Sequence, residues 1–228
     1  MSEPRLRGVL VRTWNLFHGN TLPPQRRAFL REMVELVTHD RPDVVCLQEI
    51  PVWALAHLEH WSGMRSVAAV ARPPLLRSAG LGRSLADLHH GLLRSAFTGE
   101  ADAILVGRGH DVDDVRSEVV GERPLRRIAH GLRLDGGTYV VNFHINADPA
   151  ELARVAAFAA PWPRAIVAGD ANIASASLDG YSTALPGSID QILYRGLAGG
   201  APAAWPLERR RRGGRLLSDH APVEVEVG

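Results

Sequence analysis

Six short apolar runs, each carrying a polar residue at one end, limit what this chain can fold into. Val9–Trp14 stops at Asn15, Val44–Gln48 delivers Glu49, Thr138–Phe143 ends at His144, and Ala165–Ala168 leads through Gly169 to Asp170. Asp190 sits near the start of the run to Tyr194, and Asp219 just before Val223–Val227. Such runs are too short for helices and rich in β-branched residues, so they read as strands. In antiparallel neighbours the end of one strand lies beside the start of the next, which lets all six polar residues gather on one rim of a sheet core. Asp219 and His220 are adjacent, and adjacent strand residues point to opposite faces. They serve one pocket only if the backbone there is not yet a strand. Pro222, with its fixed φ and its push on Ala221 toward extended geometry, starts the strand just after them.

The remaining punctuation supplies helices and further strands. Residues 25–39 carry an i, i+3, i+4, i+7 stripe of Leu30, Met33, Val34 and Val37, with Arg27, Arg31, Glu32 and Glu35 off it. Residues 51–61 suit a short helix with Pro51 near its first turn, 84–93 another, and Asp148-Pro149 opens one through Ala159. Strands are expected at 66–71, 103–107, 115–120 and 128–134, the last turning at Asp135-Gly136-Gly137. Residues 72–100 read as a surface excursion, and 199–214 as a Gly/Pro/Arg loop. The pattern begins β-α-β and continues as adjacent strands. It predicts a single domain over 1–228 of the α/β or α+β sandwich class, with mixed sheets inside and helices outside.

Composition excludes several chemistries. All 26 basic residues are arginine, so a lysine-dependent phosphate loop or a Schiff base is ruled out. Formal net charge is +1, which leaves no global field to gather nucleic acid or anionic membrane. The one cysteine, Cys46, lies in an apolar run and reads as a small buried hydrophobe, so no intrachain disulfide forms. With no apolar signal segment after Met1 and no run of membrane-spanning length, the expected location is cytoplasmic.

Taken in order, Thr13-Trp14-Asn15, Asp43 to Glu49, Asn142-Phe143-His144, Gly169-Asp170-Ala171-Asn172, Ser188-Ile189-Asp190 and Ser218-Asp219-His220 resemble the motif set of the endonuclease/exonuclease/phosphatase superfamily, the deoxyribonuclease-like hydrolases. The resemblance spans nearly the whole chain. It implies a four-layer α-β-β-α sandwich, a divalent metal (Mg²⁺, with Mn²⁺ as the alternative) and hydrolysis of a phosphate ester. It also implies the roles. Glu49 holds the metal, with Asn15 and Asp219 completing the shell directly or through water. Asp170 positions or deprotonates the attacking water, and Asn172 holds that water or a phosphoryl oxygen. Asp190 fixes the tautomer of His220, which contacts the phosphoryl group or transfers a proton, and His144 donates to a phosphate oxygen. Oxygen ligands suit Mg²⁺, and a bound metal would offset charge on the phosphoryl oxygens.

Each residue also has a plainer reading. Asn15 caps a turn, Glu49 is a charge ahead of a helix, His144 is a satisfied core histidine, Asp170 and Asn172 form an Asx turn, and Asp190 merely opens a strand. His18 reads as loop surface, His130 as strand packing or surface, and His89-His90 as a solvated helix face. Glu100 and Asp102 precede a strand where the superfamily often has an aromatic residue, absent here. Arg209, Arg210, Arg211 and Arg212 form either a solvated loop or a track for a phosphate backbone. Three substrate classes stay open: nucleic acid, lipid head groups such as phosphoinositides, and small phosphate esters. Nuclease activity is placed first, although only 17 residues separate Asn172 from Asp190, little room for a large substrate-embracing loop. A catalytically silent binding module on the same fold is the rival from another class.

Overall fold

The computed structural model describes residues 8–74 and 98–228; the expected helix at 84–93, His89-His90 and the N-terminal residues lie outside these. In chain order the elements are β1 (Val9–Asn15), β2 (Thr21–Leu22), α1 (Leu30–Thr38), β3 (Val44–Ile50), α2 (Leu58–Ser62), β4 (Arg65–Arg72), β5 (Glu100–Val106), β6 (Val112–Gly121) and β7 (Arg127–Leu134). They continue as β8 (Tyr139–His144), α3 (Pro149–Ala159), β9 (Ala165–Asp170), β10 (Asp190–Arg195), β11 (Ala203–Ala204), β12 (Arg211–Arg212), β13 (Arg215–Leu217) and β14 (Val223–Val227).

Two sheets form the body, in the orders β11-β14-β1-β3-β5-β4 and β10-β9-β8-β7-β6. Each holds one parallel pair, β1 with β3 and β8 with β9, at the β-α-β crossovers; its other pairs are antiparallel. Alternation along each strand sorts the side chains into layers. Val11, Cys46 and Ile104 of the first sheet pack with Val140, Ile166 and Ile192 of the second. The opposite face of the first sheet, with Trp14, Val45 and Leu47, meets Met33, Val34 and Val37 of α1. The outer face of the second, with Val141, Phe143 and Val167, meets Val155 and Ala159 of α3. This is the four-layer α-β-β-α sandwich, with Cys46 buried between the sheets.

Three local expectations change. The helix over 25–39 begins only at Leu30, because the Phe29 amide donates to Gly19 O and anchors the segment before it to the loop after β1. Residues 51–61 divide into a 3-10 turn (Val52–His57) followed by α2, which Gly63 ends in the left-handed region. The stretch read as a loop over 199–214 contains β11, a 3-10 turn at Leu207–Arg210 and β12, and β12-β13-β2 make a third, small sheet.

Candidate active site

The inward-facing positions change character along the strands. Beyond the apolar layer come Thr13, Gln48 and Asn142, all buried. Asn142 Nδ2 on β8 donates across the sandwich to Leu47 O and Ala103 O at 3.0 Å each, and its Oδ1 accepts from Gln48 Nε2 at 2.7 Å. These bonds tie the second sheet to β3 and β5, and the next inward layer is ionisable.

In that layer Asn15, at the end of β1, directs its amide nitrogen at two carboxylates: Glu49 Oε1 at 3.1 Å and Asp170 Oδ2 at 2.9 Å. Its Oδ1 accepts the Phe17 amide at 2.9 Å, which sets the orientation of the amide. Glu49 sits where the pairing of β3 with β5 shifts register, with φ 54°, a backbone that carries its carboxylate toward the rim. Asp170 Oδ1 accepts the backbone N–H of Asn172 at 2.8 Å, so the Asx turn and the clustering coexist. Gly169 lets β9 come this close to β8, since a Cβ there would lie 1.9 Å from Phe143 O. His144 Nε2 faces Asp170 Oδ2 at 3.5 Å, Glu49 Oε1 at 3.8 Å and Asn172 Nδ2 at 3.3 Å.

His220 enters from the opposite side. Its Nδ1 lies 2.9 and 3.1 Å from the two oxygens of Asp190, and its Nε2 is 3.9 Å from Asp170 Oδ2. Burial opposes charge on this imidazole, but the hydrogen bond and charge of Asp190 outweigh it and raise its pKa to about 9. Asp219 is the most open of the group, with 42% of its side chain exposed and Oδ1 3.9 Å from His220 Nε2. The two neighbours share the pocket because Ser218 adopts φ 60°, a turn residue rather than a strand residue. The Ser218 hydroxyl donates to Asn15 O at 2.7 Å, and the Trp14 indole donates to His220 O at 3.0 Å.

Several residues the sequence reading placed elsewhere belong to this layer. His18, expected on loop surface, is buried with Nε2 3.4 Å from Glu49 Oε2. Glu100, also buried, takes Arg72 Nη2 and Arg127 Nη1 at 2.5 Å each, and Arg127 Nη1 also lies 2.8 Å from His144 Nδ1. Burial pushes the Asp102 carboxyl up to about 7. Nothing in the local sequence marked Arg127, which shares an arginine-rich segment with exposed neighbours; only its register on β7 brings it inward. The four consecutive arginines also separate. Arg210 is buried, and its Nη1 donates to Ser218 O at 3.0 Å and His220 O at 2.8 Å, bracing the Ser218–His220 loop from behind. Arg209 lies over the Trp205 ring, 3.4 Å from its centroid, and pairs with Glu224 at 2.8 Å. Arg211 and Arg212 are exposed on β12 without a carboxylate partner among the described residues.

Two groupings bear on a metal. Asp170, Asp190 and His220 offer ligand atoms within 4.8 Å of one another. A histidine protonated at this pKa and donating to Asp190 is a poor ligand, however, and a hard divalent ion takes oxygen. Glu49 fits better: its carboxylate is partly exposed at 19%, oriented by Asn15 and flanked by Asp170. Asn15, as oriented, presents N–H to these carboxylates.

No helix among the described residues is long and apolar enough to cross a membrane. No curated protein matches the chain in sequence. Its fold is similar to that of a functionally unknown conserved protein from Enterococcus faecalis V583 (TM-score 0.71, 17% identity, 96% of this chain and 99% of that one). It is also similar to an endonuclease/exonuclease/phosphatase from Bacteroides vulgatus (TM-score 0.69, 17% identity, 97% and 98%). A humanized D. rerio TDP2 carrying 14 mutations aligns comparably (TM-score 0.67, 16% identity, 97% and 99%). The sequence itself matches the Endonuclease/Exonuclease/phosphatase family over residues 13–220, which contain every ionisable residue of the rim, and the chain therefore belongs to this family of phosphoesterase hydrolases.

Proposed function

We propose that the chain is a divalent-metal-dependent phosphodiesterase that cleaves nucleic acid backbone. The observation that carries this reading is the pairing of an oriented carboxylate with an imidazolium. Asp170 is held by the Asn15 amide and the Asn172 N–H at 2.9 and 2.8 Å, and His220 Nε2 stands 3.9 Å away with Asp190 behind it. Two donors hold Asp170 aimed into the pocket, placed to accept a proton from an attacking water. His220, with Nδ1 committed to Asp190, presents Nε2–H to a phosphoryl oxygen or to the leaving group. Asn172 and His144 line the same pocket and supply further hydrogen bonds. A divalent cation at Glu49, with Asp219 on the open side, would screen phosphoryl charge and orient the ester. Asn15 keeps the Glu49 carboxylate turned toward that position.

The exposed Arg211 and Arg212, without a carboxylate partner among the described residues, favour a polyanionic substrate over a small one. The second reading, hydrolysis of small or lipid head-group phosphates, draws on the short connection between Asn172 and Asp190. The direct test is hydrolysis of bis-p-nitrophenyl phosphate with Mg²⁺ or Mn²⁺, beside Glu49→Ala and His220→Ala. Metal-dependent turnover lost in both variants is expected. Turnover that is absent, or that persists without metal, would overturn the reading and leave a binding module. A panel of plasmid, single-stranded DNA, RNA and inositol phosphates then decides the substrate class.

A further inference from the structure

His110, in the loop between β5 and β6, stands between two carboxylates at the end of the sandwich opposite the ionisable rim. Its Nδ1 lies 2.9 Å from Asp135 Oδ1 and its Nε2 3.1 Å from Asp43 Oδ1. Carboxylates accept hydrogen bonds, and a neutral imidazole has only one N–H to give. In the neutral form one ring nitrogen would turn its lone pair toward an oxygen at hydrogen-bond distance; the imidazolium donates to both. We infer that His110 is a proton-operated clasp between the two sheets, closed as the imidazolium and released from one carboxylate when it loses that proton.

The two partners are fixed in different sheets. Asp43 immediately precedes β3 in the first sheet; its Oδ2 accepts the Leu10 amide of β1 at 2.8 Å, and its backbone O accepts the Gly107 amide at 2.8 Å. Asp135 immediately follows β7 in the second sheet, in the turn where Gly136 takes φ 76°, and its amide donates to Asp111 O at 3.2 Å. Along β3, the rise from Asp43 to Glu49 sets the clasp about 20 Å from the rim. The carboxylates approach opposite ring nitrogens, so they flank the imidazole and do not converge with it on one point where an ion would sit.

Three guanidiniums stand nearby. Arg41 and Arg108 line the cavity on the Asp43 side, and Arg164 and the last residue, Gly228, that on the Asp135 side. Arg108 Nε is engaged by Gly63 O at 2.9 Å. Their charge works against the imidazolium, whereas the two carboxylates are in contact with it. Partial burial also opposes charge on the ring, and the hydrogen bonds and charges of Asp43 and Asp135 outweigh it, raising its pKa above 6.5. A raised pKa contributes stability that is complete below the unfolded value of 6.5 and is lost as pH rises through the folded value. The clasp therefore holds the far end of the sandwich on the acid side and loosens it on the alkaline side.

The clasp stands apart from the rim and holds whatever ester the rim cleaves. The test is an NMR pH titration of the intact chain with ¹⁵N-labelled histidine, with His110→Gln to assign the signal. Urea melts of the native and His110→Gln proteins accompany it between about pH 6 and 9. Both ring nitrogens of His110 should be pyrrole-type at about pH 6. Its titration midpoint should lie above 6.5, and Asp135→Asn should lower it. Glutamine keeps an N–H donor but does not titrate, and His220 is common to both proteins. The native advantage in urea midpoint should therefore shrink as pH rises. A His110 midpoint at or below 6.5, a midpoint that Asp135→Asn leaves in place, or a native advantage constant across the range would overturn the inference. Were His110→Gln not to fold, the one histidine signal moved by Asp135→Asn would identify His110 and decide, and no moved signal would overturn the clasp.

Discussion

Replacing Asp190 with Asn leaves the shape of the pocket nearly intact and removes the charge that keeps His220 protonated. The difference between an ordinary 6.5 and about 9 corresponds to about 3 kcal/mol of preference for the imidazolium. Without the carboxylate, His220 falls back toward its ordinary range. At about pH 7.5 a group with a pKa near 6.5 is roughly one-tenth protonated, whereas the native imidazole is almost wholly so. Turnover of Asp190→Asn should therefore drop about ten-fold at that pH and recover as the pH falls to about 5.5, with the metal concentration for half-maximal activity unchanged. Stability carries the same signature with a definite sign. A raised pKa in the folded state contributes stability that is complete below the unfolded value of 6.5 and is lost as pH rises through about 9. Urea titrations of the native protein should thus lose up to about 3 kcal/mol more across that window than those of Asp190→Asn. The measurement is a pH–rate profile at saturating metal, paired with urea melts at matched pH. A loss of turnover equal at every pH would mean that Asp190 acts through orientation alone and would refute the charge argument.

Three further outcomes follow from the geometry. Asp219→Asn should raise the metal requirement while leaving saturated turnover close to native, and His220→Asn should do the reverse in a metal titration; equal shifts in metal affinity with intact turnover in both would contradict the division of the loop. Gly169→Ala should cost about 2–4 kcal/mol in urea unfolding, because its Cβ would lie 1.9 Å from the Phe143 carbonyl oxygen and the two parallel strands would have to part. Exchanging both Arg211 and Arg212 for Ser should lower the slope of log affinity against log salt for single-stranded DNA, measured with a non-hydrolysable backbone, by about 1.4; an unchanged slope would remove these side chains from the substrate track.

Local sequence carried much of this protein. The strand runs, the α1 stripe, the Asp-Gly-Gly turn and the polar residues at strand ends were all readable, because period-2 and period-3.6 patterns and turn chemistry depend on a few neighbouring residues. The short extra strands after Gly199 were not, since β11 exists only through pairing with β14, and β12 and β13 only through pairing with each other and with β2. The site divides along the same line. Asn15, Glu49, His144, Asp170 and Asp190 lie at strand ends and His220 in the turn before β14, and strand ends reach the rim by construction. His18 read as loop surface and Arg127 carried no local signal; their burial depends on a left-handed turn after β1 and on the register of β7. Arg209 to Arg212 are chemically identical neighbours, yet one lies on an indole, one braces the Ser218–His220 loop and two face solvent. By itself the sequence determined which strands exist and which carboxylates and imidazoles stand at their ends, because those follow from local periodicity. Only the tertiary structure decided which donor faces which acceptor, because that depends on groups distant in sequence approaching within 3 Å across two packed sheets.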